Sequence, residues 1–233
     1  MLTNESNHAG QLIEPNKSGL SRRRFLGYVG ASSALLVTAA SCKKDDTNTT
    51  TTGGVNLGSG DTGILNYAYA LEQLEAAFYV MVAASPYSGI SSTESAYLTD
   101  IRDHEVAHRE FFKAALGTNA IKGLTPDFSS VNFTDRTSVL ATAKAFEDLG
   151  VTAYNGAGKL IVNPDYLTLA GKIVSVEARH AALIRDLITP GSFADMTAVN
   201  AMGLDGARTP AEVLAIAGKY IKETLNASNL PTS

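Results

Sequence analysis

Two Glu-x-x-His segments, each preceded by a further glutamate, constrain this chain more than any other feature. The segments are Glu105-Val-Ala-His108 and Glu177-Ala-Arg-His180. Glu72 precedes the first by roughly 30 residues, and Glu147 precedes the second by a similar distance. The chain has four histidines, and two of them occupy this pattern. The sequence therefore contains two copies of one unit, a glutamate followed by Glu-x-x-His.

Five segments have the hydrophobic periodicity and the end signals of helices. The predicted starts are Asp61 as a cap, the capping box Ser91–Glu94, Thr134 or Asp135, Asn163-Pro164, and Thr209-Pro210. The predicted ends are about Ala84 before Pro86, Leu116 before Gly117, Val162, the residue before Pro190, and Leu225. No alternating apolar and polar run is convincing enough to predict a strand.

The connections between the first four helices are short, long and short. The long connection has roughly 17 residues, including Pro126, and exceeds the usual loop length of helical bundles. This connectivity predicts an all-α four-helix bundle with a crossover between helices 2 and 3. The shorter fifth helix is expected to pack against the outside or one end of the bundle.

On each long helix the acidic and histidine positions fall on a stripe that is otherwise largely apolar. Residues three or four apart share a helix face, so the Glu and His of each motif can reach the same ion. The stripes are Leu65, Ala68, Glu72, Glu75 and Tyr79; Leu98, Ile101, Glu105, His108 and Phe112; Leu140, Ala143, Glu147, Val151 and Tyr154; and Ala170, Ile173, Glu177, His180 and Ile184. Because apolar stripes face the core, the sequence predicts that these side chains are buried.

Four carboxylates directed into one core need neutralisation, because burying an unpaired carboxylate costs several kcal/mol. Taken one at a time, each glutamate or histidine would be an ordinary solvated or packed residue. Taken together and in this order, they match the ligand set of two-metal carboxylate bundles. The predicted ligands of two divalent cations are Glu72, Glu105, His108, Glu147, Glu177 and His180, with no catalytic residues beyond them.

Three further side chains on these stripes have roles that the sequence leaves open. Glu75 lies one turn beyond Glu72, and its counterpart in the second unit is Gly150. Glu72 is therefore assigned as the ligand, and Glu75 as an alternate or shuttling ligand. Tyr79 and Tyr154 each lie seven residues after the first glutamate of their unit. They either hydrogen-bond ligand carboxylates or simply pack in the core.

Other charged or imidazole side chains are not expected to bind the metals. His104 is adjacent to Glu105 and therefore points about 100° away from the metal-binding face. Arg179 and Arg185 are expected to be solvent-facing or paired surface charges. The net charge of −4 argues against binding of nucleic acid, which usually requires a basic patch.

The N-terminal residues have the features of an export signal. Residues 21–26 read Ser-Arg-Arg-Arg-Phe-Leu and resemble a twin-arginine signal. The apolar run that begins at Phe25 and ends at Ala40 is shorter than the 20 or so residues of a membrane span. Residues 1–41 are therefore predicted to be a signal peptide, and an uncleaved basic anchor helix is the alternative. The expected location is the periplasm or cell envelope.

Cys42 is the single cysteine, and we expect it to carry a lipid that anchors the protein to a membrane. Residues 39–42 read Ala-Ala-Ser-Cys and resemble a lipoprotein cleavage site; an ordinary signal-peptidase site close to Cys42 is the alternative. Residues 42–60 are rich in threonine and are predicted to be a flexible tether, and residues 43–46 resemble a surface-export tag. The helical bundle is predicted over residues 61–228.

At the Glu, His and Tyr positions above, the chain resembles the ferritin-like superfamily over most of residues 61–188, and within it the exported, desiccation-related group. The resemblance implies two bound metal ions, iron first and manganese second, at the six predicted ligands. It also implies ferroxidase activity or reaction with dioxygen or peroxide, as in an oxidoreductase such as a catalase or peroxidase. A rubrerythrin-type electron-transfer peroxidase is disfavoured, because the chain lacks a cysteine cluster. The alternative is a non-catalytic, metal-stabilised envelope lipoprotein with a structural or stress-protective role.

Overall fold

A computed structural model describes residues 54–232. The predicted signal peptide, the lipidation site Cys42 and most of the predicted tether lie outside the described residues. Within residues 54–232, no helix is both long enough and apolar enough to cross a membrane.

The described part of the chain is mostly helical and has almost no strands, which confirms the predicted all-α class. The helices are α1 (Gly60–Ala84), α2 (Ser92–Leu116), α3 (Arg136–Gly158), α4 (Pro164–Ile188) and α5 (Pro210–Ala217), with short 3-10 turns at Gly117–Asn119 and Gly218–Tyr220. α1 packs against α2, α3 packs against α4, and α1 also packs against α3. The four long helices therefore form a bundle of two hairpins, joined by the long crossover between α2 and α3.

Most helix starts lie at the predicted caps. The side chains of Ser91, Asp135, Asn163 and Thr209 accept hydrogen bonds from backbone amides in the first turns of α2, α3, α4 and α5, respectively. Such capping satisfies amide groups that have no partner inside the helix. At the start of α2 the predicted capping box is half formed. The amide of Glu94 donates to Ser91, but the carboxylate of Glu94 pairs with Arg136 at 2.7 Å.

Two predictions around α1 and α3 were wrong. Asp61 does not cap α1; the cap position is Ser59, and Asp61 lies in the first turn. Its carboxylate instead accepts hydrogen bonds of 2.8 Å from the amides of Val162 and Asn163. This contact holds the turn before α4. α3 ends at Gly158 and does not reach Val162.

Folded structure also begins earlier than predicted, inside the segment assigned to the tether. Strand β1 (Val55–Asn56) pairs in parallel with strand β2 (Leu225–Asn226), although no strand was predicted. Each strand is only two residues long, which is too short to show alternation in the sequence. Leu57 is fully buried in the core, so hydrophobic packing fixes the start of the domain.

The fifth helix is shorter than predicted because tertiary contacts replace its last turns. α5 ends at Ala217, well before Leu225. Beyond it, Ile221 forms a bridge with Pro126 of the crossover. The chain then continues into β2 and pairs with the start of the domain.

Buried polar side chains of α1 hold the long crossover against the bundle. The side-chain amide of Asn66 donates to the carbonyls of Leu57 and Asn119, and its oxygen accepts from the amide of Ile121. Further along α1, Gln73 accepts from the amide of Leu124 at 2.9 Å. The crossover is therefore fixed by hydrogen bonds that satisfy its own backbone groups.

Arg185 on α4 is buried, and its prediction as a surface charge was wrong. Its guanidinium donates two hydrogen bonds, of 2.7 and 2.8 Å, to the carboxylate of Asp148 on α3. It also donates to the hydroxyl of Thr197, in the segment that follows α4. A guanidinium that is paired with a carboxylate and hydrogen-bonded in this way can be buried. This side chain therefore ties α3 to α4 and to that segment.

Candidate metal centre

The bundle brings all six predicted ligands together at the middle of its four long helices. α1 and α3 each contribute one glutamate, whereas α2 and α4 each contribute a Glu-x-x-His motif. Four carboxylates are fully buried: Glu72, Glu105, Glu147 and Glu177. His180 is also buried, and the side chain of His108 is 14% exposed.

The six side chains form two overlapping groups of four that could each hold a metal ion. One group is Glu72, Glu105, His108 and Glu177, and the other is Glu105, Glu147, Glu177 and His180. Within each group the candidate ligand atoms all lie within 4.8 Å of one another. Glu105 and Glu177 belong to both groups, so each can bridge the two positions with its two oxygens.

The two groups have nearly the same dimensions. Nδ1 of His108 lies 2.9 Å from Glu177, 3.4 Å from Glu72 and 3.8 Å from Glu105. Nδ1 of His180 lies 2.8 Å from Glu105, 3.4 Å from Glu147 and 3.7 Å from Glu177. The repeat seen in the sequence is therefore an approximate twofold symmetry of the site.

The inner atoms of this cluster are close together, yet they are not hydrogen-bonded. Nδ1 of His108, Nδ1 of His180 and both oxygens of Glu105 and Glu177 are buried without a hydrogen-bond partner. In an octahedral site with metal–ligand bonds of about 2.1 Å, neighbouring ligand atoms lie about 3 Å apart. Short separations without hydrogen-bond geometry are what ligand atoms directed at a common ion would show, so the residues fit metal ions.

Two tyrosines hold the outer glutamates, and each does so across the bundle. The hydroxyl of Tyr79 on α1 donates to Oε1 of Glu147 on α3 at 2.5 Å. The hydroxyl of Tyr154 on α3 donates to Oε1 of Glu72 on α1. Of the two roles considered for these tyrosines, the structure supports hydrogen bonding to the predicted ligands.

Glu75 is buried beside the cluster, although it belongs to neither group of four. Its Oε1 lies 3.1 Å from the position that a Cβ would take at Gly150, and Oε2 of Glu177 lies 3.6 Å from the same point. Gly150 is the counterpart of Glu75 in the repeat, so the second unit lacks a side chain where the first has a carboxylate. The missing side chain leaves room for the carboxyl group of Glu75.

The buried carboxyl groups and imidazoles perturb one another strongly. Burial lowers the pKa of His108, but the close carboxylates of Glu105, Glu177 and Glu72 outweigh burial and raise it to about 12. Burial likewise lowers the pKa of His180, and the carboxylates of Glu105, Glu147 and Glu177 raise it to about 12.

The carboxyl groups respond in different directions. Burial raises the pKa of Glu177, but the two imidazoles outweigh burial and lower it to about 2. Burial and then the charge of Glu177 raise the pKa values of Glu75 and Glu105 well above the ordinary range. The cluster and its neighbour Glu75 contain five buried glutamates but two imidazoles, so protons or cations must take up the remaining charge.

His104 takes part in a contact that the sequence did not reveal. It lies outside both groups, and it is exposed. Its Nδ1 nevertheless lies 2.9 Å from Nε2 of His180 on α4. Burial and then the neighbouring His180 and His108 lower the pKa of His104. No spacing along one helix could indicate this contact, because it depends on how α2 and α4 face each other.

Fold and site together define a class: helical bundles with a buried Glu and His cluster compatible with binding metal ions. A model of the ferritin-like domain matches residues 60–190, which is more than half of the chain. The chain belongs to the ferritin-like domain family. A search of curated proteins finds no match.

Proposed function

We propose that this protein binds two metal ions, iron first and manganese second, through the six residues predicted from the sequence. The proposal is supported by the buried, unpaired oxygens and nitrogens of the two groups. Carboxylate and imidazole ligands suit both metals, and the ligand inventory is that of two-metal bundles. In each position the protein would supply one imidazole, one outer glutamate and one oxygen from each of two bridging glutamates.

The tyrosine contacts indicate how the outer glutamates would bind a metal ion. Because Tyr79 and Tyr154 engage Oε1 of the outer glutamates, Oε2 is the oxygen left for the metal. Each group would then offer four protein atoms to an ion: one from the imidazole, one from the outer glutamate and one from each of the two shared glutamates. Iron or manganese held in this way would supply the chemistry towards dioxygen or peroxide.

The activity that fits such a centre is that of an oxidoreductase, either a ferroxidase or an enzyme that consumes dioxygen or peroxide. Bound iron or manganese would supply the change in redox state. The side chains of this chain would hold the ions, and the buried bundle would exclude bulk water. A purely structural site would be expected to use more of its coordination positions for protein atoms.

We further propose that the bundle works outside the cytoplasm, on a lipid carried by Cys42. This part of the proposal is supported by the arginine-rich segment, the apolar run and the residues before Cys42. It also suits the resemblance to exported, desiccation-related proteins, for which a protective role under stress would follow. Metal ions, a small oxidant and the membrane would then be the partners of the protein.

Metal analysis of protein matured in its own cells, followed by stopped-flow mixing, tests the function. We expect about two iron or manganese ions per chain and rapid spectral changes when the ferrous protein meets dioxygen or peroxide. His108→Ala provides the matched variant, because it removes one predicted ligand from the least buried corner of the cluster.

The outcomes separate the candidate functions. Protein without stoichiometric iron or manganese would contradict the proposed metal centre. Protein that holds the metals but is inert towards both oxidants would favour the non-catalytic envelope protein. Equal reactivity of wild type and His108→Ala would show that the reaction takes place elsewhere.

A further inference from the structure

We propose that His104 is a positioning residue that makes the two metal positions unequal, by fixing the ring of His180. The inference rests on the proposed function, because it concerns how one predicted ligand is held. Nδ1 of His180 faces Glu105 and Glu147, whereas Nε2 contacts Nδ1 of His104 at 2.9 Å. The inner nitrogen of His180 is therefore directed to the cluster and the outer one to a residue on another helix.

The contact between the two histidines has the geometry of an in-plane hydrogen bond. The rings are 8° from parallel and their centroids are 5.2 Å apart. The largest possible centroid separation is the 2.9 Å between the two nitrogens plus one centroid-to-nitrogen distance in each ring. The observed separation is about this maximum. Both nitrogens therefore lie close to the line that joins the centroids, and the rings meet edge to edge. In this arrangement the lone pair of one nitrogen points at the proton of the other.

The hydrogen bond defines which nitrogens carry protons. A metal-binding imidazole presents an unprotonated nitrogen to the ion, so with an ion bound at Nδ1 the ring of His180 would be neutral and would keep its proton on Nε2. This N–H donates to Nδ1 of His104, which must then be unprotonated. Partners of this kind fix the tautomer and orientation of a ligand and raise its basicity. The partner is usually a carboxylate or carbonyl, and here an exposed imidazole takes its place.

The other metal position is held differently. In the repeat, Val176 on α4 stands where His104 stands on α2, and a valine side chain cannot accept a hydrogen bond. The side chain of His108 is also more exposed than that of His180, at 14% against 5%. The ring of His108 is therefore less restrained, and the position with His180 is expected to bind its ion more tightly.

Titration of the purified, metal-stripped protein with Mn(II) tests this inference. We expect wild type to bind two ions with different affinities. His104→Ala should weaken the tighter ion by about 10- to 100-fold and leave the weaker one unchanged. His104→Gln should recover part of the affinity, because its side-chain carbonyl can accept the proton of His180. Val176→Ala is the matched control at the equivalent position, and both affinities should remain as in wild type.

Several results would overturn the inference. These are equal affinities in wild type, equal weakening of both ions in His104→Ala, or a His104→Gln variant as weak as His104→Ala. Circular dichroism shows whether the variants are folded, and recovery by glutamine separates a hydrogen bond from a general loss of packing. Two ions bound with unchanged affinities in His104→Ala would contradict this inference alone. Wild type that binds no Mn(II) or iron would instead contradict the proposed function, and this inference with it.

Discussion

The hydroxyl of Tyr79 on α1 lies 2.5 Å from Oε1 of Glu147 on α3, and Tyr154 makes the reciprocal contact with Glu72. Each hairpin of the bundle therefore orients the outer glutamate of the other. The Glu and His cluster depends on the packing of α1 against α3, and neither hairpin contains all of its residues.

These contacts predict that each tyrosine affects one metal position. Tyr79→Phe removes the donor to Glu147 and should weaken the ion beside His180 by about 10-fold or more. Tyr154→Phe should weaken the ion beside His108 to a similar extent. Mn(II) titration measures both effects. Tyr220→Phe is a suitable control, because the ring of Tyr220 packs on Phe146 at a centroid distance of 4.8 Å. Loss of both ions from either single variant would contradict the crosswise arrangement.

Alanine substitutions distinguish ligands from neighbours. His108→Ala and Glu147→Ala should each abolish binding of at least one metal ion, because each removes an atom of one group of four. Glu75→Ala should retain both ions, since Glu75 belongs to neither group. Elemental analysis of the purified variants gives the stoichiometry directly. Equal loss in all three variants would argue that Glu75 is a full ligand and that Glu72 was wrongly preferred.

The effect of Glu105→Gln on stability should depend on metal. Glutamine keeps the shape of Glu105, and burial and then Glu177 raise the pKa of this carboxyl group, so the change should cost the metal-free protein less than the metal-loaded protein. In the metal-loaded protein, the same change removes a bridging carboxylate and should lower the melting temperature. Thermal unfolding with and without a chelator measures both states. Glu110→Gln, exposed on the same helix, should have little effect in either. An equal decrease in the melting temperature of Glu105→Gln with and without the chelator would contradict this prediction.

Gly150 predicts a specific coupling with Glu75. Alanine usually stabilises a helix over glycine by about 0.5–1 kcal/mol. At position 150, however, the new methyl group would lie 3.1 Å from Oε1 of Glu75. We expect no gain in wild type and the full gain in a Glu75→Ala background, measured by chemical denaturation.

Gly158→Ala is the control for this coupling, because its methyl group would meet Leu167 at an ordinary 3.8 Å. Its effect should be the same in both backgrounds. A Gly150→Ala effect that is equally independent of residue 75 would mean that the two positions do not share space.

Asn66 should be important for stability through the crossover. Asn66→Ala leaves the carbonyls of Leu57 and Asn119 and the amide of Ile121 without this partner. Loss of partners for buried polar groups costs about 1–3 kcal/mol, and urea unfolding should show a decrease of this size. Asn155→Ala, which removes one exposed hydrogen bond to Gly206, should cost less. A smaller effect for Asn66 than for Asn155 would show that the crossover is held by its apolar residues instead.

Much of the fold could be predicted because its signals are local. Ser91, Asp135, Asn163 and Thr209 cap helices in the structure, as predicted, because capping involves only a few neighbouring residues. Asp61 has the same local signal, yet its carboxylate binds amides roughly 100 residues away in the sequence. An aspartate at the start of a helical segment looks the same in the sequence whether it caps its own helix or binds a distant segment. Only the packing of the chain decides between the two roles.

The candidate site likewise combines features that the sequence predicts with features that depend on packing. The sequence by itself determined that four glutamates and two histidines share buried helix faces, because helical spacing and apolar stripes are properties of single segments. Only the tertiary structure decided that Tyr79 holds Glu147, that Gly150 makes room for Glu75, and that His104 contacts His180. Each of these contacts joins two helices, and their relative rotation and offset are set by packing across the whole core.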